Sequence, residues 1–401
     1  MDLSYGAEYE SFRAQLREFL AGWPLGGEEA ALPLAEQERR FRNRGLERGY
    51  LCRHVPVEYG GSGQEPDPTK DIIIREEYAA SGAPGDRLEQ GAGMLVPTLL
   101  EWGSEEQKRL FVPPTLRGEI RWCQGYSEPG SGSDLASLQS RAVLQGAEWV
   151  LNGQKIWTSN ADKADWMFGL FRTEPEAPKH AGISYLLVPM KQPGIVVRPL
   201  KQLTGSLEFN EVFFDDARTP ADHIVGKRGE GWQVSRSTLK HERGLIGSPR
   251  LMRSLFDGLL DLARRTERAG RPALEDPRVR QRLAEIEGYV RSAETTSLRL
   301  LSARLKGEEH KVVLPMLMAK LFSTDVAQMV AKAAYELAGA EGLLAPPRAE
   351  AYYDESGTGP GWTHNFLATL GPAIAGGASN IQRNIIGERG LGLPRDLRSP
   401  R

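Results

Sequence analysis

The sequence predicts an α+β protein built in three parts, helical, then β, then helical. Three observations carry that reading. Apolar residues recur at helical spacing up to about residue 119; the period then falls to two, with β-formers dominant, to about residue 231; long helical patterns occupy the remainder. The expected parts are an N-terminal helical domain over 1–119, a middle antiparallel β-barrel or sandwich over 120–231, and a C-terminal helical bundle over 232–401.

In the first part Tyr9, Phe12, Leu16, Phe19 and Leu20 fall on one helical face. Ser104-Glu105-Glu106-Gln107 reads as a capping box opening a further helix, which Pro113-Pro114 is expected to close. In the middle part Glu148–Leu151 and Gln154–Trp157 flank Asn152-Gly153, a pairing that predicts a hairpin with a type I′ turn. Strands are expected at Trp166–Arg172, Ile183–Val188, Ile195–Leu200 and Leu207–Phe214. In the last part Asp276-Pro277 is a cap followed by a first-turn proline, opening a helix with Val279, Leu283, Ile286 and Val290 inside. Further helices are expected over Leu314–Leu337 and Ala373–Glu388, with no element assigned to the Pro- and Gly-rich Ala345–Gly361.

Composition narrows the function. With 401 residues and 40% hydrophobic content, the chain can bury a large core in two to three packing units. Its 51 basic and 53 acidic residues nearly cancel, which argues against a polybasic nucleic-acid protein. No contiguous apolar run nears the ~18 residues that cross a bilayer. The start lacks the basic and apolar segments of a secretory signal, and Cys52 and Cys123 cannot form a disulfide framework. A soluble cytoplasmic protein is the expectation. The six histidines show no His-Glu-x-x-His pattern, and there is no Cys-x-x-Cys, so no metal site is expected. Walker A and Gly-x-Ser-x-Gly motifs are missing. Gly130-Ser131-Gly132-Ser133-Asp134-Leu135 starts like a dinucleotide fingerprint but lacks the third glycine and the β-α-β context.

Four stretches remain. Residues Arg121–Asp134 run from a strand into a loop rich in glycine and hydroxyls, which offers donors to an anion or polar ring edge but also suits a plain connector. Asn152–Asn160 sets Trp157 beside Thr158 and Ser159 at a strand end, suited to a flat heterocycle such as a flavin or to an ordinary core tryptophan. Leu239-Lys240-His241-Glu242-Arg243-Gly244 offers a carboxylate as general base, or only a solvated charge run. Gly371–Asn384 is dense in small residues, allowing close approach by a ligand at a helix start or by another helix.

Together, in this order, these stretches resemble the acyl-CoA dehydrogenase family over nearly the whole chain. Ser127-Glu128-Pro129-Gly130-Ser131-Gly132-Ser133-Asp134 is similar to the family signature; Asn152–Trp157 and Ile381-Gln382-Arg383-Asn384 match later motifs. The resemblance implies a helical domain, a β-barrel and a four-helix bundle, with FAD held between barrel and bundle. It implies flavin contacts from Gln124, Tyr126, Ser127, Trp157, Thr158 and Ser159. It also implies contacts across a subunit boundary from Arg268, Glu336 and Gly339 to the outer part of FAD, in a homodimer or homotetramer. Ser133, Arg243 and Gly376 would meet the acyl-CoA substrate, the Gly376 N–H supporting the thioester oxygen. A carboxylate removes the α-proton as the β-hydrogen leaves as hydride to the flavin, and electrons pass on to an electron-transferring flavoprotein.

Many family members carry the base just before the glycine of the C-terminal motif, where this chain has Gly376. Glu242 instead falls where the isovaleryl-CoA and long-chain branches place theirs, which makes it the expected base, and the space at Gly376 favours a branched, cyclic or bulky acyl group, as in fatty acid or sterol catabolism. Tyr126 replaces an aliphatic residue, Ala378 lacks a usual hydroxyl, and Glu336 stands where an amide is usual. Two alternatives follow: a partner subunit of a heteromeric acyl-CoA dehydrogenase, or a flavin monooxygenase on the same fold, against which Glu242 counts.

Overall fold

The computed structural model describes residues 6–85, 89–245, 249–268, 270–344, 353 and 358–394. The chain forms two compact units, Met1–Pro199 with Phe209–His241 and Leu200–Glu208 with Glu242–Arg401.

In the first unit, α1 (Ala7–Leu20), α2 (Leu34–Glu47) and α3 (Pro68–Ser81) bury Leu16, Leu20, Phe41, Ile73 and Tyr78 among themselves. Across this core Glu77 binds both Arg13 and Arg17, at 2.5 Å and 2.7 Å. A π-helical turn at Gly91–Leu95 leads into α4 (Val96–Trp102), and α5 (Glu105–Leu116) follows. The capping box at Ser104 and Gln107 is present. Pro113-Pro114 does not end α5, however, which runs on to Leu116. The two prolines forfeit intrahelical amide bonds. Burial of Val112, Thr115 and Leu116, and a 2.6 Å bond from Thr115 Oγ1 to the Phe111 carbonyl, outweigh that loss.

The strands are β1 (Trp122–Gly125), β2 (Arg141–Gln145), β3 (Glu148–Ser159), β4 (Trp166–Arg172), β5 (Ile183–Pro189), β6 (Ile195–Pro199), β7 (Phe209–Pro220) and β8 (Ile224–Val225). They join in the order β6-β7-β3-β2-β4-β5-β8, with β1 beside β4. Pairing is antiparallel except where β4 meets β1 and β2.

The expected hairpin at Asn152-Gly153 is not there. β3 passes straight through these residues, and its turn to β2 lies at Gly146, which has φ +63°. Asn152 instead bonds the Asp216 amide at 3.0 Å through its side chain, where β7 carries an extra residue with φ +51°. The Asn-Gly pair thus marks a β-bulge rather than a reversal. The seventh strand starts later and runs longer than expected, to Pro220.

α6 (Gly231–Leu245) follows, and Val234 joins the core of α4, α5 and the sheet. In the second unit α7 (Pro249–Arg265) is followed by the short ribbon β9 (Glu267–Arg268) and β10 (Arg271–Pro272). Helices α8 (Pro277–Leu305), α9 (Val313–Ala338) and α10 (Gly359–Ala368) complete a four-helix bundle with α7. Leu259, Ile286, Val330 and Trp362 fill its core, and Asp276 caps α8 by accepting from the Arg278 amide. The segment around α9 is long and apolar enough to match a membrane span by composition. Its buried residues Val326, Val330 and Ala334 belong to the bundle core, as expected of a central helix.

The helix expected over Ala373–Glu388 begins only at Ser379, as α11 (Ser379–Ile385). Gly376 and Gly377 take φ +59° and +96°, left-handed conformations that interrupt a right-handed helix. The Ala345–Gly361 segment lies in large part outside the described residues.

Candidate active site

β1 ends at Gly125, and Tyr126 to Asp134 continue as a loop that folds back on β3. Three ties hold it there. The Ile156 amide donates to the Ser127 carbonyl at 2.9 Å. The buried Lys155 ammonium donates to the Tyr126 carbonyl at 3.2 Å and to Glu128 Oε1 at 2.8 Å. The Glu128 carboxylate in turn accepts from the amides of Gln139 and Ser140, at 2.6 and 2.9 Å. The structure therefore brings Gln124, Tyr126 and Ser127 together with Trp157, Thr158 and Ser159.

Trp157 is not a core residue. β3 carries an extra residue between Lys155 and Thr158, and Trp157 sits in that bulge with φ +60°, the residue 56% exposed. A left-handed conformation is strained for a residue of this size, and a bulge re-aims the side chain it carries. Phe209 meets the indole edge-on, with centroids 5.9 Å apart.

Two buried polar atoms on these segments have no partner among the described residues, Gln124 Nε2 and Thr158 Oγ1. Buried polar groups are normally satisfied, so an unpaired donor on β1 and an unpaired hydroxyl on β3 are available to bond a ligand. An outward aromatic face with such donors fits a flat, hydrogen-bonding ring of the flavin kind.

Burial pushes the Lys155 ammonium down to about 8, although the Glu128 charge opposes the shift. Burial works against ionisation of Glu128 too, but Lys155 and the two amides hold its carboxyl below the ordinary range.

Tyr126 is buried, and its ring meets that of Tyr185 edge-on, with centroids 6.2 Å apart. The Thr238 hydroxyl lies 3.4 Å from Tyr185 Oη and 2.9 Å from Thr98 Oγ1, and Thr98 donates to the Met94 carbonyl at 2.7 Å. A chain of buried hydroxyls thus joins β5, α6 and α4. On the same helix Ser237 bonds Glu101, and His241 Nε2 stands 3.8 Å from the same carboxylate. Burial lowers the His241 pKa. Glu242 and Arg243 follow in the last turn of α6; their side chains lie outside the described residues.

The remaining expected residues lie on other elements. Ser133 is exposed in the signature loop. In the second unit Arg268 is exposed on the β9–β10 ribbon opposite Arg271, and Glu336 is exposed on α9, 3.6 Å from Lys332. Gly339 ends α9 with φ +58°. Gly376 lies in the loop after α10, and buried Lys320 donates to the carbonyls flanking it, Pro372 at 2.6 Å and Gly377 at 2.8 Å.

Lys155, Thr98, Thr238, Tyr185 and Lys320 carry no role in the sequence reading. Lys155 alone had a visible signal, a charged residue at an inward register of a β-strand.

Residues 6–119, 123–217 and 229–391 match the N-terminal, middle and C-terminal domains of acyl-CoA dehydrogenases, respectively. The chain is 40% identical to acyl-CoA dehydrogenase IpdE1 of Mycobacterium tuberculosis, over 98% of this chain and 99% of that one. Among solved structures it is similar to the Tcur3481-Tcur3483 steroid ACAD, with a TM-score of 0.79 at 29% identity over 99% of this chain and 100% of that one. It is also similar to a chain of the ChsE4-ChsE5 complex from Mycobacterium tuberculosis, with a TM-score of 0.78 at 30% identity over 98% and 100% of the two chains. The chain belongs to the acyl-CoA dehydrogenase family of oxidoreductases.

Proposed function

We propose that this protein is an FAD-dependent enzyme that introduces an α,β double bond into a bulky, ring-bearing acyl-CoA thioester, with Glu242 as the base. The observation that carries the cofactor is Trp157, turned outward in a strained bulge, together with Gln124 Nε2 and Thr158 Oγ1, buried and unpaired among the described residues. Gln124, Tyr126, Ser127, Trp157, Thr158 and Ser159 would hold the flavin end, and Arg268, Glu336 and Gly339 of a neighbouring copy its outer part. When bound, FAD supplies the acceptor for the hydride leaving the β-carbon.

Glu242 removes the α-proton as that hydride leaves, a task that calls for a carboxylate shielded from water. The Gly376 amide meets the thioester oxygen, where negative charge builds up. Ser133 lies along the pantetheine arm, and Arg243 helps hold the substrate. An electron-transferring flavoprotein takes up the electrons. The ring-bearing acyl group is supported by the likeness to a steroid ACAD and by glycine at 376, which leaves volume where many relatives carry a side chain.

A second reading is a heteromeric enzyme, in which this chain pairs with an unlike chain of the same fold. The likeness to a chain of the ChsE4-ChsE5 complex favours it, as does Glu336, a negative charge on the helix proposed to reach FAD.

The test is to purify the protein, load it with FAD and titrate it anaerobically with straight-chain, branched and steroid-derived acyl-CoAs. Loss of the oxidised-flavin band with a ring-bearing thioester is expected. A flavin that no acyl-CoA reduces would contradict the reading, and a chain that takes up FAD only with a second, unlike chain would establish the heteromeric one.

A further inference from the structure

The Lys155–Glu128 pair stands outside the proposed chemistry, and its surroundings are unusual. Lys155 is 0% exposed, and Glu128 is 8% exposed. The ammonium has two oxygen partners, Glu128 Oε1 and the Tyr126 carbonyl, and lies 5.1 Å from the centroid of the Phe171 ring. Both Glu128 oxygens are engaged, one by Lys155 and the Ser140 amide, the other by the Gln139 amide. The cost of burying two charges is seldom recovered as stability, since apolar replacements of a buried pair are often neutral or better. What this pair does achieve is geometric. It fastens the start of the signature loop, at 126–128, and the Gln139–Ser140 segment before β2 to the β3 residue just before the Trp157 bulge.

We infer that Lys155 and Glu128 are positioning residues for the cofactor, holding the Gln124–Ser127 segment and the Trp157 bulge in the one register that accepts a flavin ring. The inference rests on the proposed FAD site and adds to it two residues that do not touch the ring. The electrostatics agree: the ammonium keeps a depressed but substantial proton affinity because the carboxylate compensates its burial.

The test uses the full chain, FAD as the probe, and the variants Lys155→Met, Glu128→Gln and the double variant. Each single variant strands a charge and should lower both melting temperature and FAD affinity. The double variant leaves no unpaired buried charge, so its melting temperature should return towards wild type. Its FAD affinity should not recover. It should stay about 10-fold weaker, since the ammonium tie to the Tyr126 carbonyl is still lost. The visible band of any bound FAD should also shift towards that of free FAD. A double variant that binds FAD as tightly as wild type, with an unshifted band, would overturn the inference and leave the FAD site standing. A wild-type protein that takes up no FAD would instead remove the site and the inference together. Should Lys155→Met fail to fold, Glu128→Gln and the double variant decide the matter alone.

Discussion

The Ile156 amide donates to the Ser127 carbonyl at 2.9 Å, joining two motifs that are far apart in the sequence. Through that bond the loop after β1 becomes a neighbour of the Trp157 bulge. Sequence motifs that looked separately ambiguous thus form one surface, and the local strain at Trp157 is concentrated there.

Trp157 tests that surface first. Trp157→Ala should weaken FAD binding about 10-fold, the scale of one lost aromatic contact, as measured by fluorescence titration. Trp157→Gly should lose the same affinity without a lower melting temperature, because glycine accepts φ +60° without strain.

Thr238 is the second target. Thr238→Val should cost about 1–2 kcal/mol in denaturant unfolding, since Thr98 and Tyr185 each lose a partner inside the core. Removing Thr98 and Thr238 hydroxyls together should cost less than the two single losses added, because the residues share one bond.

Lys320 should behave differently. Burial lowers its pKa, so the ammonium is an energetic burden where it stands. Lys320→Met should therefore change global stability little. Hydrogen exchange at Gly371–Gly377 should nonetheless quicken by about 10-fold or more, as that loop loses its two carbonyl ties.

Acid stability should depend on Glu77. Burial alone would raise its carboxyl, but Arg17 and Arg13 hold it below its ordinary value of 4.5. Its contribution is therefore complete above that pH and is lost as the pH falls through the lower native value. Glu77→Gln should cost about 2 kcal/mol at neutral pH and flatten the loss of melting temperature below pH ~4.5.

Much of this was legible in the sequence, for reasons that differ by element. The caps at Ser104 and Asp276 were readable because capping uses local chemistry. The Asn152-Gly153 turn misled because the same residues suit any left-handed kink. Only the long-range partner at Asp216 decides between a hairpin and a bulge. Pro113-Pro114 misled because burial of Leu116 is a tertiary effect. Among the site residues, Trp157 was visible as an aromatic at a strand end, whereas its outward turn depends on register with β7. The Thr98–Thr238–Tyr185 chain joins three separate elements and left no local trace.

Abstraction of the α-proton by Glu242 is open to one comparison above others. Wild-type and Glu242→Gln proteins, both loaded with FAD, would be mixed anaerobically with the acyl-CoA that best reduces the wild type, and loss of the oxidised-flavin band timed. Equal FAD content is expected, with a rate about 1,000-fold lower in the variant, the scale of a lost general base. Reduction of the variant at the wild-type rate would contradict proton abstraction by Glu242.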